Sequence, residues 1–162
     1  MISYFEKLRE DEVKLMYRTP LLVAILIAGA DNKIENKEIR EAISLTKIKQ
    51  TKSRSLLEEY YQIVGETYES DLNEEIASLP GSSDKRNSFI VEELRRLNLI
   101  LPKLDRKFVI EFYESMKELA QSVAHASGGL FGYLSVGYEE SRYVDLNFIR
   151  NPAKIKKPQG KA

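Results

Sequence analysis

Two short clusters of carboxylates hold the chemistry that this chain could do. Asp31, Glu35 and Glu38 fall within eight residues, and Glu139 and Glu140 are adjacent near the other end. Hard divalent cations such as Ca²⁺ or Mg²⁺ take oxygen ligands, and several must converge. Glu35 and Glu38 are three residues apart, so a helix starting there carries both on one side of its first turn. Asp31 sits in the turn before it. An EF-hand is excluded, because the third, sixth and twelfth positions counted from Asp31 are Lys33, Asn36 and Ala42. The competing explanation is structural. Acids in a first helical turn stabilise it by about 0.3–1 kcal/mol each, and Lys33 and Lys37 flank this cluster.

Other constellations carry less. Lys47, Lys49, Lys52 and Arg54 place four basic residues in eight. With no aromatic stacking platform beside them, they read as a solvated loop between helices and not as a nucleic-acid contact. His125 is the one histidine of the chain, and the helical period puts it on the polar side of its helix with no nucleophile or acid held against it. Ser127-Gly-Gly-Leu-Phe-Gly-Tyr-Leu-Ser135 lacks the Gly-Lys-Ser/Thr ending of a phosphate loop and follows a helix where such loops follow a strand. Its Leu130, Phe131 and Tyr133 form an apolar cluster that either packs as core or offers a surface to a protein partner or a membrane. Tyr60, Tyr61 and Tyr68 share one helix and suit positions half core and half surface.

The elements that must position these groups are helices. Ser3-x-x-Glu6 has the form of a capping box. Thr19-Pro20 reads as a second start, with Pro20 in the first helical position. The apolar run 20–30 then predicts a helix buried all round, with Gly29 as its stop. A helix over 35–47 follows. Leu56, Leu57, Tyr60, Tyr61, Val64 and Tyr68 mark the next, with a bend expected near Gly65 or Ser70. Pro80-Gly-Ser-Ser83 is the clearest break. Ile90, Leu94, Leu97 and Leu101 line another helix, stopped by Pro102, and Phe108, Phe112, Met116, Leu119 and Val123 line the next. A last helix is expected to carry Tyr143, Leu146 and Ile149. Nothing alternates with period two, so the fold class is all-α.

The two halves also echo each other. Ala28-Gly-Ala-Asp31 corresponds to Ala124-His-Ala-Ser127, and Ile34 followed by Glu35 and Glu38 corresponds to Val136 followed by Glu139 and Glu140. The segment Leu22-Val-Ala-Ile-Leu-Ile-Ala-Gly-Ala-Asp31-Asn-Lys-Ile34-Glu-Asn-Lys-Glu38 resembles the tellurite-resistance TerB-like family, whose mark is an apolar helix ending in Ala-x-Ala-Asp-Gly and a new helix opening with acid. The chain departs from that mark at Asn32, where glycine is usual, and at Ser127, where the second aspartate would stand. The resemblance implies a bundle of about seven helices, built from two pseudo-symmetric helix–turn–helix units over residues 1–150. It also implies a non-enzymatic module of a stress-response protein that binds a divalent cation through Asp31, Glu35, Glu38, Glu139 and Glu140. It further implies a cytoplasmic location, with association at the inner face of the membrane.

Composition bounds the rest. The chain has 162 residues, 43% hydrophobic and 31% charged, enough for one self-sufficient domain. With no cysteine, disulfides, thiolate metal sites and a cysteine nucleophile are excluded. The 25 basic and 25 acidic residues balance, yet residues 151–162 hold Lys154, Lys156, Lys157 and Lys161 and no acid, which leaves 1–150 at a net of −4. A disordered basic tail is expected from residue 151. No apolar run reaches the roughly 20 residues of a membrane span, and the start has no secretory pattern. The function expected is therefore cation binding at the acidic helix starts. The alternative is a metal-free protein-interaction domain working through Leu130, Phe131 and Tyr133 in loop 128–134. Nucleic-acid binding and catalysis are not expected.

Overall fold

A helix that ignores its own proline organises the molecule. In the computed structural model, which describes residues 2–30, 34–53, 55–126 and 143–155, α1 runs unbroken over Glu10–Ala28 with Pro20 inside it. The start signal expected at Thr19-Pro20 is thus not used. Proline has no N–H, so it cannot bond the carbonyl four residues back. That carbonyl belongs to Met16, and the Tyr60 hydroxyl donates to it at 2.6 Å. Thr19 Oγ1 donates to Leu15 O at 2.7 Å, and Tyr68 Oη to Pro20 O at 2.9 Å. Hydroxyls from other turns and another helix thus meet the carbonyls around the proline.

The N-terminal end is corrected too. Ser3–Phe5 is one 3₁₀ turn, pinned by the buried side chains of Ile2 and Phe5. The helix begins later, where Glu12 accepts from the Arg9 backbone N–H at 2.9 Å and Glu10, Asp11 and Glu12 occupy the first turn. From Leu21 to Ala28 every side chain of α1 is buried, as the apolar run requires.

Around α1 pack α2 (Asn36–Lys52), α3 (Glu58–Ser78), α4 (Ser83–Arg95), the single turn α5 (Leu97–Ile100) and α6 (Arg106–Ala126). The described residues are all helix, turn and loop, with no strand. No helix among them is long and apolar enough to cross a membrane. α3 does bend, at Thr67 (φ −127°, ψ 16°), between the two positions the sequence suggested. Residues 47–52, expected in a loop, continue α2. Lys49 packs over Tyr61 and reaches Glu118 at 2.7 Å, which keeps the helix going.

The core holds an aromatic layer in which Tyr60 meets Phe5, Phe108 and Phe112 edge to face, with centroids 5.7–6.3 Å apart. Tyr60, Tyr61 and Tyr68 are core residues with satisfied hydroxyls and form no part of a surface, contrary to the half-exposed role expected of them. Charges tie the outer edges of the same helices. Arg18 bonds Glu75 and Glu93, Arg96 joins Glu93 to Asp11, and Lys103 meets Glu12 at 2.6 Å.

The C-terminal helix expected through Tyr143, Leu146 and Ile149 is replaced by successive tight turns. Leu146 is fully buried with φ +51°, and its N–H bonds Tyr143 O at 2.9 Å. The Asn98 side chain holds the segment by donating to Phe148 O and accepting from Arg150 N–H, both at 2.8 Å. The tail expected to be disordered from residue 151 begins as a 3₁₀ turn, Pro152–Lys154. Asn151 Oδ1 caps it, Pro152 is buried in it, and Arg106 bonds Ile155 O at 2.8 Å. Residues 156–162 lie outside the described residues.

Candidate functional site

The acids chosen from sequence separate into described and undescribed positions. Asp31, Glu139 and Glu140 lie outside the described residues, as do Leu130, Phe131 and Tyr133 of the aromatic loop. Glu35 is the N-cap of α2, 41% exposed, with Lys37 Nζ 3.3 Å from its carboxylate. Glu38, one turn on, is only 1% exposed. The two acids therefore sit in different environments although they share a first turn. Among the described residues no three His, Cys, Asp or Glu side chains come together as a metal could use them. His125 is exposed at the end of α6, on the side the helical period gave it.

One trio has the composition of a catalytic group. The Tyr61 hydroxyl shares a hydrogen bond with Ser115 Oγ, and Lys49 Nζ stands 5.6 Å from the Tyr61 ring centre. Its environment is wrong for acid–base work. Burial pushes the Tyr61 hydroxyl well above its usual value, where an activated tyrosine would be lowered. Tyr61 is 1% and Ser115 3% exposed, and Glu118 takes the Lys49 charge. The trio closes the core between α2, α3 and α6.

Two neighbouring residues on α4 each carry a buried polar atom without a partner. Arg86 and Asn87 are each 6% exposed. The Arg86 guanidinium donates to Gly29 O at 2.6 Å, so a cation sits on the carbonyl end of α1. Its Nε has no partner, and burial alone lowers its pKa. Gly29 has φ −97°, which any residue adopts. What glycine supplies is room, since a Cβ there would stand 2.5 Å from Arg86 Nη2.

Asn87 turns the other way. It lines an open groove of about 550 Å³ between the outer face of α4 and the turns at 143–148. Its Oδ1 is buried and meets no donor. Ser88, Val91, Glu92 and Arg95 continue the α4 wall, and Phe148 lies opposite. Phe89, 40% exposed, stands on the same helix beside Asp84, Ser88 and Glu92. A second groove, about 450 Å³, follows the bend of α3. There Thr67 Oγ1 donates to Asp71 Oδ2 at 2.6 Å.

Sequence reasoning missed the α4 groove. The signal was present, because Arg86 and Asn87 lie four and three residues before Ile90 and so fall on its buried stripe, where two polar residues in succession call for a reason. Compared with known protein families, curated proteins and solved structures, the chain gives no match in any of the three.

Proposed function

We propose that this chain is a helical binding module, non-enzymatic, that carries its ligand in the groove on α4. The observation that supports the reading is Asn87: a buried amide oxygen without a donor, in the wall of an open groove. Buried polar groups without partners are rare and costly, and a ligand that supplies the missing hydrogen bond removes the cost. The nucleophile-like trio, by contrast, is closed to solvent. The test is a selection from a displayed random-peptide library on the folded chain, with a Val91→Lys variant as counter-selection. Binders that the lysine abolishes support the module. A selection that yields none, against a positive control, overturns it.

A second reading keeps the TerB-like resemblance. On it the molecule is a bundle of about seven helices in two pseudo-symmetric units. A divalent cation is held by Asp31, Glu35 and Glu38, with Glu139 and Glu140 from the second unit, in a stress-response protein at the inner face of the membrane. The observation that favours it is the depth of Glu38, a carboxylate 1% exposed in the first turn after residue 31. A cation at about 100 times its Kd stabilises by ~2.7 kcal/mol, roughly 5–10 °C in the melting midpoint of a chain this size. Melts with chelator, millimolar Ca²⁺ and millimolar Mg²⁺ should show that shift, and Glu38→Gln should remove it. A midpoint indifferent to both cations refutes this second reading.

A further inference from the structure

Two segments far apart in the chain are tied together and concentrate basic charge. At one end the Asn98 side chain bridges Phe148 O and the Arg150 N–H. At the other, Arg106 donates to the carbonyls of Ile155 at 2.8 Å and Ala153 at 3.4 Å. These contacts join residues 98–107 to residues 148–155 in one seam. It holds Lys103, Arg106, Lys107, Arg150 and Lys154 against a single acid, Asp105, in a chain whose 25 bases and 25 acids cancel.

Three of these bases face outward unengaged. Lys107, Arg150 and Lys154 are exposed, and no carboxylate among the described residues pairs with them. Lys103 is held by Glu12, and Arg106 by the seam's own carbonyls. The Asp105 carboxylate accepts from the Phe108 N–H at the start of α6. The seam also carries two of the four large hydrophobic side chains that stand exposed among the described residues, Leu99 at 76% and Ile155 at 42%. Leu97 and Ile100 turn inward, so Asn98 and Leu99 form the outer side of α5. Leu99 therefore stands beside the bridge to Arg150, and Ile155 directly follows Lys154.

Chemistry selects the partner. Unpaired cations call for a polyanion, and aliphatic side chains exposed among them call for an apolar medium just beneath its charges. The interface of an anionic bilayer offers both. A nucleic acid would meet the bases and leave Leu99 and Ile155 in water. We infer that this seam binds an anionic lipid bilayer, with Lys107, Arg150 and Lys154 on the headgroups and Leu99 and Ile155 entering the acyl boundary. The surface uses none of the side chains that wall the α4 groove, so it is independent of the binding-module reading.

The test is sedimentation of the full chain with phosphatidylcholine vesicles that contain or lack phosphatidylserine. The chain should bind the first at least about tenfold more tightly and come off as salt rises. Arg150→Ala with Lys154→Ala should weaken binding about twentyfold, at roughly fivefold per base near a charged surface. Leu99→Ser with Ile155→Ser should weaken it at least about fivefold. Lys85→Ala, at an exposed base on α4 outside the seam, should change it less than about twofold. All five side chains are exposed, so the variants keep the fold, which an unchanged melting midpoint checks. Equal affinity for the two kinds of vesicle, or no binding to either at low salt, overturns the inference. So does binding that either double variant leaves intact, or that Lys85→Ala weakens as much as they do. A chain that binds duplex DNA and not the vesicles has a nucleic acid as its partner, and that result overturns the inference as well.

Discussion

Tyr60→Phe removes one oxygen and leaves the ring in place. The lost hydroxyl is the donor to Met16 O, the carbonyl that Pro20 deprives of its helical partner. Tyr60 is fully buried, so water cannot replace the bond without a cavity. Leaving a buried acceptor unsatisfied costs about 1–3 kcal/mol. A loss of ~2 kcal/mol lowers the midpoint of a chain this size by roughly 4–8 °C. The proline makes the argument testable. In a Pro20→Ala background the alanine N–H can bond Met16 O, so Tyr60→Phe should then cost at least ~1 kcal/mol less. Urea unfolding of the wild type, both single variants and the double variant gives that coupling directly. Equal costs of Tyr60→Phe in the two backgrounds would refute the claim that the tyrosine compensates the proline.

Other outcomes follow from the same contacts. Gly29→Ala should destabilise by about 1–3 kcal/mol through overpacking against Arg86, and an Arg86→Ala background should relieve most of that cost in thermal melts. The Glu12 carboxylate is held below its usual value of 4.5, first by the hydrogen bond from Lys103 and then by that from the Arg9 N–H. Between its folded and unfolded values the unfolded chain binds more protons, so its contribution is complete above about 4.5 and is lost as pH falls through the folded value. Glu12→Gln should flatten that acid limb in denaturation measured from pH 6 to pH 2. Ser115→Ala should cost about 1–3 kcal/mol by stranding the Tyr61 hydroxyl in the core. Leu99→Ser, at a side chain 76% exposed, should change stability by less than about 0.5 kcal/mol.

The candidate site was legible in part. The buried depth of Glu38 could not be read from its spacing, because the dipole argument that places an acid in a first turn is silent on which way that turn faces. The α4 groove needs two segments far apart in the chain, 87–95 and 143–148, and its far wall is built of turns where the sequence period suggested a helix. Leu146 and Ile149 are three apart, as in a helix. Burial of both anchors and the Asn98 bridge impose the turns instead.

The sequence by itself determined the class of structure and its central rod. Eleven apolar residues at 20–30 have no polar face, so the helix they form must be surrounded, and helical spacing of Phe108 through Val123 sets a second buried stripe. It also determined what chemistry is absent, since residue types do not depend on folding. Tertiary structure decided whether Pro20 ends a helix or lies within one, because the missing N–H is compensated by a hydroxyl forty residues away on α3. It decided that three tyrosines are core and that Asn87 faces a groove. Local propensity acts over a few residues, whereas hydrogen-bond partners and burial are set by whichever distant helix packs alongside.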